Sequence, residues 1–505
     1  MPSRIHIKVF LNTFFGIEKL SDRVFSNLIV LIASRLATIV VSILSIAILA
    51  RFVSPEGFGY LASTTITLGL ANALFDGAFG IGLVRRVNVD RSHISSTLGA
   101  AIALALLIVG LLNVFAPTIE GFYRFAGLGK VIQFSSALVV FKAIFAVSDA
   151  ILQRERQYKR IGMIALVSNV GGQLLISVPL AIAGFDYWAL VTGLLATGAI
   201  EASLSNYYAR VGLSLRFDRS SLDEFRDGGG LFGLTQLLSW ASLSGSNIVA
   251  GYTLGATALG LYSRSWKLLD VVVSATGTPM QKVFMPVFAS LRHDQDRARI
   301  EFLSAMGTLL PSFAIIGTLV ALHSNFIVIV LLGKDWLQAV NVVSVLFSVL
   351  FARLSYKLCE GVIVGFGKAR VSATLQTIYG LTMVTGTWAG SRYGVVGIAW
   401  GASIAILVFY CLTLFFAAQL LACGFIDILK LHMHAIIFPI AALVTHLTLE
   451  RAIPSDVHVW QELLFCTTEG GVLTAIFILL PGTVIGPELA RIRRKVFAKA
   501  QRLRA

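Results

Sequence analysis

Apolar runs of roughly 18 or more residues, long enough for a helix to cross about 30 Å of hydrocarbon, recur through most of this chain. They fall at 27–50, 59–84, 95–117, 131–152, 161–183, 187–209, 229–253, 257–284, 303–330, 338–358, 369–390, 394–421, 432–450 and 462–481. The bilayer interior offers no water to a bare backbone, so each run is read as a helix, whose polar groups bond within the segment. The fold class that follows is all-α: a polytopic membrane protein of about 14 transmembrane helices. Composition agrees, because 56% of the 505 residues are hydrophobic and 13% are charged, about half the charged share of a soluble protein.

The basic residues orient these spans. One side of the map receives Arg85, Arg86 and Arg91, then Arg154, Arg156, Lys159 and Arg160, then Arg210, Arg216, Arg219 and Arg226, and a C-terminal run from Arg491 to Arg504. The other side receives Arg51, Arg124, Lys130, Lys334, Arg392 and Arg451. Positive charge gathers on cytoplasmic loops, so both ends are expected in the cytoplasm. The net charge of +15 is scattered between spans. It forms no basic domain for nucleic acid, which is excluded as a partner. Outer loops are short, which leaves little room for a catalytic site, and the chain is not expected to be an enzyme. The cysteines at 359, 411, 423 and 466 have no paired spacing and are expected as small buried hydrophobes. His432 and His434 are too isolated to argue for a metal. No metal and no cofactor is expected.

Two stretches about 200 residues apart resemble each other: AILARFVSPEGFGYLAS (47–63) and VAGYTLGATALGLYSRS (249–265), in which Gly59 aligns with Gly260. A second pair, GFDYWALVTGL (184–194) and YGVVGIAWGAS (393–403), has a similar separation. Both halves start on the same side, which makes this a parallel repeat about an axis normal to the membrane. The expected organisation is an interfacial or cytoplasmic N-terminus (1–24), an N-lobe of six spans (25–213), a cytoplasmic linker (214–228), a C-lobe of six spans (229–425), two further spans (426–483) and a basic cytoplasmic tail (484–505). Two pseudo-symmetric lobes would flank a central cavity, and rocking one against the other gives alternating access.

Ionisable residues inside the spans cost about 2.5–3.5 kcal/mol each on insertion scales, so they mark a cavity or a partner. Arg264, Lys267 and Asp270 step by three, Arg353, Lys357 and Glu360 by four then three, and Lys142 and Asp149 by seven; each set shares one side of a helix. Basic members outnumber acids, which suits an anionic cargo, phosphate above all. The candidate cargo contacts are Arg35, Lys142, Arg264, Lys267 and Arg353. Asp76, Asp149, Asp270 and Glu360 are candidates for ion coupling or for ion pairs. Lys357 and Lys282 read as snorkelling residues, and Gly228, Gly229 and Gly230 as a hinge.

Fourteen spans together with ILARFVSPEGFGYLA (48–62), LFDGAFGIGLVRR (74–86), QRERQYKRIG (153–162) and FMPVFASL (284–291) resemble the polysaccharide-transport branch of the multidrug/oligosaccharidyl-lipid/polysaccharide exporter superfamily. The resemblance is closest to Wzx-type flippases of the exopolysaccharide and colanic-acid group. It implies an undecaprenyl-pyrophosphate-linked oligosaccharide as cargo, moved from the cytoplasmic to the periplasmic leaflet, with membrane lipids as surroundings and the polysaccharide polymerase and export machinery as partners. The competing readings are a drug or cation antiporter of the same superfamily, which would want an acidic pocket, and a membrane glycan polymerase or scaffold.

Overall fold

The structure, a computed structural model, describes residues 37–75, 91–211, 230–452, 459–481, 485–491 and 493–494. Helices follow one another in the order expected from the apolar runs. The first six are α1 (Ala37–Leu49), α2 (Pro55–Phe75), α3 (Arg91–Tyr123), α4 (Leu128–Arg154), α5 (Tyr158–Ile182) and α6 (Tyr187–Ala209). Next come α7 (230–254), α8 (256–290), α9 (Gln295–Leu322), α10 (Lys334–Gly365), α11 (Ala369–Gly390) and α12 (Gly394–Leu420). The last pair is α13 (Phe425–Ala452) and α14 (Val459–Leu479). Among the described residues, nine stretches are long and apolar enough to span a bilayer by themselves, one of them holding both α11 and α12.

Local chemistry sets the helix ends where they depart from the apolar runs. α2 begins four residues ahead of its run. The Ser54 hydroxyl accepts the Gly57 N–H at 3.1 Å, Pro55 needs no donor in the first turn, and Glu56 meets the positive end of the helix. α9 begins at Gln295, eight residues ahead, because Asp294 accepts the Arg297 N–H at 3.1 Å. The run at 303–330 is therefore not one helix: α9 stops at His323, and a separate short helix, Ser324–Leu331, follows. α7 and α8 meet at a single non-helical residue, Gly255, with φ 87° and ψ −176°, a conformation glycine adopts without strain. α5 widens into a π-helical segment at Val170–Ser177.

Packing gathers the described residues into three cores. Phe75 of α2, Leu98 of α3, and Leu138 and Val147 of α4 form a core inside the first six helices. A larger core runs from α2 across α8 into α10 and α12, through Phe58, Tyr262, Leu346, Cys359 and Phe409. A third, smaller core joins α13 and α14 to α9. Only Cys359 is buried; Cys423 is half-buried, and Cys411 and Cys466 are exposed on helix surfaces. The expectation of four buried cysteines is corrected there: an outward-facing thiol is at no disadvantage against lipid.

The two halves touch most closely at Gly59 and Gly260. A Cβ on Gly59 would collide with the Ala256 carbonyl, and one on Gly260 with the Pro55 carbonyl. These are the two glycines that the repeat aligns, as expected if the axis relating the halves passes between them. Further contacts reinforce this end of the bundle. Trp336 Nε1 donates to the Ala50 carbonyl at 2.9 Å, and its ring meets Phe58 edge-on at 5.2 Å. Phe122 of α3 stacks on Tyr252 of α7 at 4.8 Å, and Arg51 donates to the Val330 carbonyl at 3.3 Å.

Candidate functional site

α8 carries the charged face. Its opposite side is apolar and buried through Leu261, Tyr262, Leu268, Leu269 and Val273. Arg264 lies one turn beyond the Gly59–Gly260 crossing, with its guanidinium 4.7 Å from the centroid of Phe58, a cation–π contact to the other half of the molecule. Its Nε is buried and has no hydrogen-bond partner among the described residues. Lys267 is exposed, roughly 10 Å along the axis from Gly260. Asp270 is 41% exposed, roughly 15 Å from the same point. The same face continues with the exposed Ser274. A face of this composition at mid-span belongs against water or another polar surface rather than lipid.

Arg353 of α10 anchors this face from behind. It is 4% exposed. Its Nη1 donates to the Tyr356 hydroxyl at 3.0 Å and the Tyr379 hydroxyl at 3.1 Å; its Nη2 lies 3.8 Å from Asp270. The guanidinium also stands 5.4 Å from the Trp266 ring. One turn further, Lys357 lies 3.7 Å from Glu360 and 5.0 Å from the Tyr356 ring. Glu360 accepts from Gln281 of α8 at 3.0 Å and from Gln376 of α11 at 3.2 Å. Helices α8, α10 and α11 thus share one polar network, which ends in the partly exposed carboxylate of Asp270.

The first half holds a smaller polar site. Lys142 of α4 pairs with Glu201 of α6 at 2.7 Å, both partly buried. Asp149, two turns along α4, accepts from Gln153 at 2.7 Å. Of the residues singled out by sequence, the structure brings Asp270 and Arg353 together, sets Lys357 beside Glu360, and keeps Lys142 and Asp149 on a separate wall. Arg35 and Asp76 lie outside the described residues, as do Gly77, Gly80, Gly82, Gly228 and Gly229. The spacing of charges did not reveal Tyr356, Tyr379, Gln281 and Gln376. They carry no formal charge, and they reach the network from three helices.

Residues 48–341 match the family of polysaccharide biosynthesis proteins, and this chain belongs to that family. The teichuronic acid biosynthesis protein TuaB of Bacillus subtilis is 25% identical over 348 residues, 67% of this chain and 70% of its own length. The lipopolysaccharide biosynthesis protein WzxC of Escherichia coli is 21% identical over 62% of this chain and 64% of its own length. The succinoglycan biosynthesis transport protein ExoT of Rhizobium meliloti is 24% identical over the same shares. The chain thus spans just under two thirds of the length of two of these relatives. Among solved structures, the lipid II flippase MurJ in an inward closed conformation superposes with a TM-score of 0.72 at 14% identity, over 90% of this chain and 98% of its own. An inward-facing multidrug resistance MATE family transporter of the MOP superfamily gives 0.63 at 13% identity, over 77% of this chain and 98% of its own. The fold is therefore that of the MOP superfamily, and the chain is a multi-pass membrane protein.

Proposed function

We infer that this protein is a flippase. It carries an undecaprenyl-pyrophosphate-linked oligosaccharide from the cytoplasmic to the periplasmic leaflet of a bacterial inner membrane, for exopolysaccharide or lipopolysaccharide assembly. The observation that carries the reading is the face of α8. Arg264, with an unpartnered buried Nε, and the exposed Lys267 sit inside a membrane helix beside the contact between the two halves. Guanidinium and ammonium groups in such a place suit the oxygens of a pyrophosphate. The family and its polysaccharide-linked relatives supply the sugar.

The lobes are residues 25–213 and 229–425, and the termini are cytoplasmic. The Gly59–Gly260 end is then the periplasmic end, shut in this state, and the α8 face is reached from the cytoplasm. Transport needs no covalent step: the lobes rock, the cavity changes sides, and the lipid tail stays in the bilayer. Arg353 holds Asp270 in place beside the cargo and keeps for that cargo a buried Nε of its own, unpartnered among the described residues.

The test is export of polysaccharide from cells whose sole copy carries Arg264→Ala or Lys267→Ala. Each variant is expected to lose most export while membrane levels of the protein match wild type. Normal export from both would turn the reading toward a scaffold for the polysaccharide machinery.

A further inference from the structure

The last two helices stand outside the repeated halves, and what fastens them is informative. Near one end, Arg299 of α9 pairs with Asp427 of α13. Between the ends, Phe438, Ala442 and Leu473 pack with Ile315 and Leu319. Toward the other end, three ligand-bearing side chains from three different helices meet. His323 closes α9, His446 lies on α13, and Glu469 lies on α14.

Their geometry is close. His323 Nε2 lies 3.1 Å from Glu469 Oε2, and His446 Nδ1 lies 2.8 Å from Glu469 Oε1. The three donor atoms all fall within 4.8 Å of one another. Glu469 is fully buried and His323 is 3% exposed. The Phe465 ring meets the His446 ring edge-on at 5.8 Å. A carboxylate withdrawn from water demands compensation, and here each of its oxygens faces an imidazole nitrogen.

We propose that His323, His446 and Glu469 form a site for a divalent transition metal of the zinc class, which clamps α13 and α14 to α9. Two imidazoles and one carboxylate are a donor set for zinc, cobalt, nickel or ferrous iron. Calcium and magnesium prefer oxygen throughout. A metal about 2.0–2.2 Å from each donor holds tetrahedral ligand atoms about 3.4 Å apart. Glu469 sets one oxygen 3.1 Å from His323 Nε2 and the other 2.8 Å from His446 Nδ1, so its carboxylate lies between the two imidazoles. Binding draws donor atoms that now lie within 4.8 Å of one another onto a common centre. Three protein ligands leave a fourth position for water. The imidazoles bind a metal in their neutral form. The site stands apart from the α8 face and needs no assumption about cargo.

The experiment uses the full chain, purified in detergent, stripped with a chelator and titrated with zinc chloride or cobalt chloride. Wild type is expected to retain one zinc per chain through gel filtration, to show a raised melting midpoint, and to give cobalt visible bands of four-coordinate intensity. Glu469→Gln and His446→Gln are expected to bind at least tenfold more weakly, with wild-type helicity, whereas His432→Gln and His434→Gln retain the metal. The proposal is overturned if wild type retains no zinc and gives no such bands, or if Glu469→Gln and His446→Gln bind as wild type does. Should those two variants fail to fold, the wild-type cobalt spectrum still decides: nitrogen and oxygen ligation supports the site, and sulfur-to-metal charge-transfer bands assign the ion to cysteine and overturn it.

Discussion

Arg353 shows what the membrane interior demands of a guanidinium. Two tyrosine hydroxyls and the Asp270 carboxylate meet it, and the Trp266 ring faces it. Removing it strands Asp270 and leaves a void among α8, α10 and α11. Arg353→Ala is expected to cost about 1–3 kcal/mol, the range for leaving buried hydrogen-bond partners unpaired, read as a lowered melting midpoint in detergent. Lys267→Ala, at an exposed position, is expected to stay within about 0.5 kcal/mol of wild type. A Lys267 variant that melted as early as the Arg353 one would show that the two belong to a single structural network. At this scale the sequence was informative where charges repeat along one helix: steps of three and four picked out Arg264, Asp270, Arg353 and Glu360. It was silent where one residue per helix contributes. His446 and Glu469 lie on different spans, and His323 lies 146 positions from Glu469, so no spacing rule connects them. Lys142 was legible as a charge in a span, but its pairing with Glu201 was not, because the two lie on helices 59 positions apart.

Among elements, the crossing of α2 and α8 decides whether the halves can meet. Gly260→Val places a branched side chain against the Pro55 carbonyl. It is expected to destabilise this closed arrangement by about 1–3 kcal/mol, as overpacking does. Gly110 of α3 has open space around it, so Gly110→Ala is the neutral control, with thermal melting of both as the measurement. Equal melting of the two variants would mean that the crossing is looser than described. The order and number of helices could be read from apolar runs, because hydrocarbon thickness fixes a helix length whatever the packing. The ends could not: Ser54 and Asp294 extend their helices into polar sequence, and the break at His323 falls on a short polar step, His323, Ser324 and Asn325, inside a run long enough for one span.

For the whole molecule, the contacts at the Gly59–Gly260 end set which side is shut. Phe122 and Tyr252 belong to different halves and stack. Phe122→Cys with Tyr252→Cys, in a background where the exposed Cys411 and Cys466 are serine, is expected to cross-link with a short bis-methanethiosulfonate, which joins the thiols through reducible disulfides. Polysaccharide export should then stop, and reduction should restore it. Continued export by the cross-linked protein would show that this end never has to part. The pairing of Gly59 with Gly260 was readable in advance as a repeat, although two aligned glycines need not touch. That they meet is shown by the backbone carbonyls of Ala256 and Pro55 that close on them. Gly255 carries a consequence for how such an opening proceeds. One residue is all that separates α7 from α8, so the pair has no slack with which to slide lengthwise. It can change angle about that pivot, as a folding ruler does, and any parting at one mouth is converted by leverage into displacement at the far tips.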